Sequence, residues 1–197
     1  MKKLILLLMA LCLVGCTTTK EEDKKNTACG DEGSTSCSLE ESADMSDYEN
    51  FINKDNQFIK SDMPSVLSIL EKNQNAVVYF GFPKCPWCVE ALPILNDVAK
   101  QQGIEILYVQ TRDNDKKSLI SDEEKKTIME YTDKFLDKNE EGNKQFYVPF
   151  VITIEDGKVT AGHVGTVDGY DTSERKMNEQ EKQELTNIYT EMLKDKK

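Results

Sequence analysis

Residues 80–95 read FGFPKCPWCVEALPIL, with Cys85 and Cys88 separated by Pro86 and Trp87. An apolar run, Ala76-Val77-Val78-Tyr79-Phe80, precedes the pair and has the β-branched and aromatic character of a strand buried on both faces. After Cys85, Val89, Leu92, Leu95 and Val98 recur at helical spacing until Gly103. The pair therefore stands at the junction of a strand and a helix. Two cysteines in such a place can be a redox centre, half of a metal site or a structural disulfide.

The spacing favours redox chemistry. The first turn of a helix holds unpaired N–H groups and the positive end of the dipole. Both stabilise a thiolate on Cys85, and Lys84 adds positive charge beside it. Cys88 lies one turn further on, within reach of a disulfide with Cys85. Thiol–disulfide exchange follows, with Cys85 as nucleophile and Cys88 resolving the mixed disulfide. No cofactor is required. A zinc site needs about four ligands, and the chain has a single histidine, His163. A structural disulfide across so short a loop constrains little of the unfolded chain.

Around this junction, strands and helices alternate. A short strand is expected at 56–60, around Phe58 and Ile59, then a helix capped by Ser61 or Asp62 with Pro64 in its first turn. Residues 104–109 form the next strand. Ser121 to Glu124 is a capping-box match opening a helix whose buried stripe is Ile128, Tyr131, Phe135 and Leu136. A strand at 146–154, broken by Pro149, turns at Asp156-Gly157 into a strand at 158–161. A last helix buries Leu185, Ile188, Tyr189, Met192 and Leu193. Helical crossovers imply parallel strands and the hairpin an antiparallel pair. The expected class is α/β, a mixed central sheet flanked by helices. His163 reads as a solvated turn residue.

The N-terminus reads as an export signal. Lys2 and Lys3 precede an apolar run at 4–14, too short for the roughly 20 residues that span a bilayer. Leu13-Val14-Gly15-Cys16 resembles a bacterial lipobox, which implies cleavage before Cys16 and lipid on it. Residues 1–15 are then a signal peptide, 16–47 a polar tether and 48–197 the folded domain. Loss of Lys2 and Lys3 moves the formal charge from −11 to −13. So acidic a chain is a poor partner for nucleic acid, and two acyl chains would make the membrane contact instead. Of the six cysteines, four remain in the exported part: Cys29, Cys37, Cys85 and Cys88. Spacing favours Cys29–Cys37 and Cys85–Cys88 pairs. The first is a small loop within the tether or a relay exchanging with the second.

From Val77 to Leu95 the sequence resembles the active-site region of the thioredoxin family. Pro93 falls five residues after Cys88, where thioredoxins carry a helix proline, and Val148-Pro149 before an Asp-Gly hairpin resembles the cis-proline loop. Gly162 or Gly165 falls near the family's glycine in the last strand. The resemblance covers roughly residues 50 to 197 and implies the thioredoxin fold, with Pro149 facing Cys85 across a substrate groove that includes Lys84, Pro86, Trp87 and Val148. A helical insertion at about 116–144 is similar to that of bacteriocin-accessory-type thioredoxin-like proteins of Gram-positive bacteria. The family's buried Asp is replaced by Tyr79, leaving Glu90 as the acid nearest in sequence to Cys88, and the Pro-Trp dipeptide is more like that of glutaredoxins. The implied function is a lipid-anchored, extracytoplasmic thiol–disulfide oxidoreductase. Its implied partners are cysteine-containing exported proteins or peptides and a membrane redox partner. The rival reading is a non-catalytic binding lipoprotein of the same fold with an inert disulfide.

Overall fold

The structure, a computed structural model, describes residues 41–49, 51 and 55–196. All belong to one compact unit, Ser38–Lys197. Residues 1–40, with the expected signal peptide, Cys16, Cys29 and Cys37, lie outside the described residues.

The elements run β1 (Phe58–Ser61), α1 (Met63–Glu71), β2 (Ala76–Gly81), α2 (Pro86–Gln102), β3 (Ile106–Gln110), α3 (Asp122–Tyr131), a 3-10 turn (Asp133–Phe135), β4 (Phe150–Glu155), β5 (Lys158–Val164) and α4 (Glu179–Leu193). The sheet order is β1-β3-β2-β4-β5. β3 pairs in parallel with both β1 and β2, β4 runs antiparallel to β2, and β5 antiparallel to β4. This order, with a cis Val148–Pro149 bond before β4, is the thioredoxin fold that the sequence resemblance implied.

β2 is buried on both faces because its alternate side chains feed two cores. Val77 and Tyr79 join Leu92 and Leu95 of α2 and Leu185 and Tyr189 of α4. Val78 and Phe80 join Val66 and Leu70 of α1 and Ile128 of α3 on the other face. The helices start where the chain supplies caps. Asp62 accepts from the Ser65 N–H at 2.9 Å, Ser121 and Glu124 cap α3 reciprocally, and Asn178 and Glu181 do the same for α4. α2 stops at Gly103, whose φ of 67° is the left-handed conformation open to glycine. The β4–β5 turn places Asp156 and Gly157 at φ 48° and 69°, as a two-residue primed turn requires.

Three expectations are corrected. Residues 41–47, expected in the tether, are folded. Ser42 bridges Ile59 antiparallel, the Ala43 N–H donates to the Phe58 carbonyl at 2.8 Å, and Ala43, Met45 and Tyr48 are buried. Their small and apolar side chains cover the edge of β1, which would otherwise present unpaired backbone. The strand expected from 146 begins at Phe150, because Pro149 has no N–H to give a ladder. Tyr131, expected in the buried stripe, is exposed, while Ile128 and Leu136 are buried. α3 ends at Tyr131, and its C-cap Thr132 leads into the 3-10 turn, which breaks the helical period. α3 and the 3-10 turn occupy the expected insertion, and Phe135 packs over Gly162, where a Cβ would stand 2.7 Å from its ring.

Candidate active site

The C-terminal ends of β2 and β3 set the site's position. Gly81 pairs with Gln110, and the Thr111 N–H donates to the Gly81 carbonyl at 2.9 Å. Arg112 is thereby brought beside the segment that leads from β2 into Cys85. Cys85 caps α2: its backbone is extended, and its sulfur accepts from the Cys88 N–H at 3.3 Å. The Cys85 N–H is anchored to the Phe82 carbonyl at 3.1 Å. Pro86 fits the next position, where a missing N–H costs nothing. Pro93 lies inside α2.

Across the cleft, the Cys85 thiol meets the Val148 carbonyl at 3.6 Å, next to the cis Val148–Pro149 bond. The structure thus brings Cys85, Cys88 and the Pro149 loop together. Lys84, Pro86, Trp87 and Val148 line the same groove of about 390 Å³. Trp87 is 37% exposed there, and Tyr147 is 44% exposed.

The two sulfurs are inequivalent. Both are free thiols, Cys85 5% exposed and Cys88 fully buried. The hydrogen bond from the Cys88 thiol draws the Cys85 pKa below the ordinary thiol value, against its own burial. The N–H groups of Cys88 and Trp87 and the charge of Arg112 act in the same direction. Burial pushes the Cys88 thiol well up, and its neighbour Cys85 pushes it further. The outer thiol ionises easily and the inner one resists, the asymmetry that a nucleophile and a resolving cysteine need.

Beneath Cys88 lies a cluster of phenols. The Tyr48 and Tyr108 hydroxyls are 3.1 Å apart, and the Tyr79 and Tyr108 rings stack at 5.9 Å. Tyr79 is fully buried, and its hydroxyl has no hydrogen bond of ordinary geometry. Its phenol faces the Cys88 sulfur and acts to lower the Cys88 pKa, the smallest of the influences on that thiol and well behind burial. Glu90 does not take the place of the family's Asp. Its carboxylate turns the other way and accepts from the Met177 N–H at 3.4 Å. His163 is also corrected. It lies in β5, not in a solvated turn, donates from Nε2 to the Thr166 carbonyl at 2.6 Å, and stands edge-on to Tyr189.

Arg112, Phe82, Phe146 and Tyr147 line the groove and were not singled out in the sequence. The signal for Arg112 was its place just past a parallel strand, since such strand ends gather at one edge of the sheet.

No protein-family model and no curated protein sequence matches the chain. Among solved structures it is similar to thioredoxin O1 of Arabidopsis thaliana, with 17% identity, a TM-score of 0.39, and 71% of this chain and 100% of that one covered. It is similar to thioredoxin O2 of the same plant at 16% identity and a TM-score of 0.35, covering 60% of this chain and 88% of that one. Mitochondrial thioredoxin 3 of Saccharomyces cerevisiae matches at 13% identity and a TM-score of 0.34, over 54% of this chain and 81% of that one.

Proposed function

We propose that this chain is a thiol–disulfide oxidoreductase whose nucleophile is Cys85 and whose resolving thiol is Cys88. The observation that carries the reading is the pairing of a helix-capping Cys85 sulfur, 3.3 Å from the Cys88 N–H, with the Pro149 loop across an open groove.

In the reducing direction, the Cys85 thiolate attacks one sulfur of a client disulfide. A Cys85–client bond forms, the client bond breaks, and the departing thiolate takes up a proton. Cys88 then loses its proton, attacks the Cys85 sulfur, and expels the second client thiolate, which is protonated in turn. The protein ends as the disulfide and the client as two thiols, two electrons having moved. The oxidising direction reverses these steps, and in either direction a membrane redox partner resets the pair. The Pro149 loop closes the side of the groove opposite Cys85, and the groove needs no cofactor for this exchange.

The order of Lys2, Lys3, the apolar run and Leu13-Val14-Gly15-Cys16 supports secretion and a lipid anchor on Cys16. The clients are then cysteine-containing exported proteins or peptides, and Cys29–Cys37 is a second disulfide within the exported segment. Cys16→Ser should release the protein from the membrane fraction, and an unchanged fractionation would refute the anchor.

The deciding experiment for the chemistry is trapping. Cys88→Ser should accumulate mixed disulfides through Cys85 that dithiothreitol dissolves, and Cys85→Ser should not. Neither variant trapping a client, with equal slow alkylation of both thiols, would leave a binding module with an inert disulfide.

A further inference from the structure

The groove beside Cys85 departs from the charge of the whole chain. Carboxylates outnumber Lys and Arg by 36 to 25. Yet Lys84, Arg112, Lys116 and Lys125 all line this groove, and no Asp or Glu does. None of the four forms an ion pair with a carboxylate among the described residues.

Two acids adjacent in sequence to these cations are held by their own backbone. Asp113 accepts from the N–H groups of Asp115 and Lys117 at 3.0 and 2.8 Å. Glu124 is taken up by the α3 capping box, accepting from the Ser121 N–H at 2.8 Å. Arg112 is fixed in place: its Nη1 donates to the Lys116 carbonyl at 3.0 Å, and its guanidinium lies 5.8 Å from the Phe82 ring centroid. Arg112, Lys116 and Lys125 are thus presented to the groove without ion-paired carboxylates, while Lys84 is shared with an adjoining cleft that Asp47, Glu49 and Glu90 also line. The floor between them is apolar and aromatic, with Trp87 and Tyr147 exposed.

A second cleft, sharing Ile120 with this one, has the opposite sign. Glu41, Asp44, Asp47, Asp62 and Glu124 line it, with Lys60 as its one cation. A basic segment approaching this face is drawn towards that cleft, away from Cys85. An acidic segment is drawn towards Cys85, because a cleft lined by one sign of charge concentrates the opposite sign.

We propose that the Cys85 groove selects extended polypeptide segments whose cysteine is flanked by acidic side chains. The four cations take the carboxylates, and Trp87 and Tyr147 pack against neighbouring side chains. The proposal rests on the thiol–disulfide exchange reading and names its client class. A polypeptide fits better than a small anionic disulfide because the cations are spread over three segments: the α2 start, the loop after β3, and α3.

The test uses the reduced protein and a set of matched peptide disulfides with Asp/Glu, Ser or Lys on both sides of the cysteine. Glutathione disulfide and a neutral small disulfide complete the set. Each rate is divided by that of a small neutral dithiol with the same disulfide, which removes the effect of flanking charge on the leaving thiol. The acidic peptide should react about tenfold faster than the basic one at low salt, and the gap should shrink as ionic strength rises. Lys116→Glu with Lys125→Glu should remove or reverse the preference, each peptide rate being read relative to that variant's own rate with the neutral small disulfide. Lys116→Ser with Lys125→Ser, should the charge reversal fail to fold, should lower it partway. Equal normalised rates for all peptides, with the neutral disulfide still reduced, would overturn the selectivity alone. Glutathione disulfide outrunning the acidic peptide would also overturn it, and would assign the cations to a small anion. No reaction with the neutral disulfide would sink the exchange chemistry itself.

Discussion

The phenol of Tyr79 lies directly over Gly81: a Cβ at Gly81 would stand 2.6 Å from the Tyr79 hydroxyl and 2.7 Å from the ring carbon that bears it. The two residues are two apart on β2 and so share a face. The glycine is what lets the ring run along the strand towards the buried end of the Cys85–Cys88 turn. Gly81→Ala should therefore push the ring off the strand into a packed core. Overpacking of this kind costs about 1–3 kcal/mol. Urea unfolding of the reduced protein should show that loss, and an unchanged midpoint would mean the ring has another place to go.

Tyr79→Phe separates the hydroxyl from the ring. The buried hydroxyl has no ordinary hydrogen bond, so its removal should leave stability within about 1 kcal/mol of the parent or raise it. Chemistry should move the other way. Tyr79 is the smallest of the influences on the Cys88 pKa and lowers it, so its loss should raise that pKa and slow resolution of a mixed disulfide on Cys85. Decay of a preformed mixed disulfide, followed against pH, measures this. A merely structural role for the hydroxyl would alter stability and leave the pH profile in place.

Much of this arrangement was legible in the chain because the signals were local. The apolar run at Ala76 to Phe80, the caps at Asp62 and Ser121, and the Asp156-Gly157 turn each act within a few residues, and each element formed where they point. Cys85 and Cys88 were legible from their place between a strand and a helix, and Pro149 through a resemblance whose fold the strand order bears out. Long-range packing was not legible. Ala43 and Met45 sit in a polar stretch and become core only because β1 has an edge to cover. Tyr48 and Tyr108 are 60 residues apart, and nothing in either segment announces that their hydroxyls meet. Arg112 needed the β2–β3 register to be placed beside Cys85. The tilt of Glu90 towards Met177 depends on where the loop before α4 lies, which no periodicity encodes.

The depressed Cys85 pKa sets a reactivity profile. Iodoacetamide should modify Cys85 before Cys88 in the reduced protein. The rate should rise with pH through a midpoint below the ordinary thiol value and level off once Cys85 is ionised. Arg112→Ala removes a cation that favours the thiolate, so the midpoint should move up, by less than removal of the Cys88 partner achieves. Mass spectrometry of the singly alkylated product identifies the site. Preferential modification of Cys88 would reverse the assignment of nucleophile and resolving thiol.

The phenol cluster makes a prediction at the alkaline end. Burial raises the pKa of Tyr48, Tyr79, Tyr108 and Tyr189, and of the Cys88 thiol, above their unfolded values. Below those unfolded values both states hold the protons and pH has no leverage through these groups. Above about pH 10 the unfolded chain releases the phenolic protons while the folded chain keeps them. The unfolded state then binds fewer protons, so stability falls as pH rises, by up to about 1.4 kcal/mol per pH unit for each fully shielded group. The loss begins earlier for Cys88, near the free thiol value of about 8.5. Absorbance at 295 nm should show these four phenols ionising together, at the pH where circular dichroism reports unfolding. Their gradual titration in a chain that remains folded would mean that water reaches the cluster beneath Cys88.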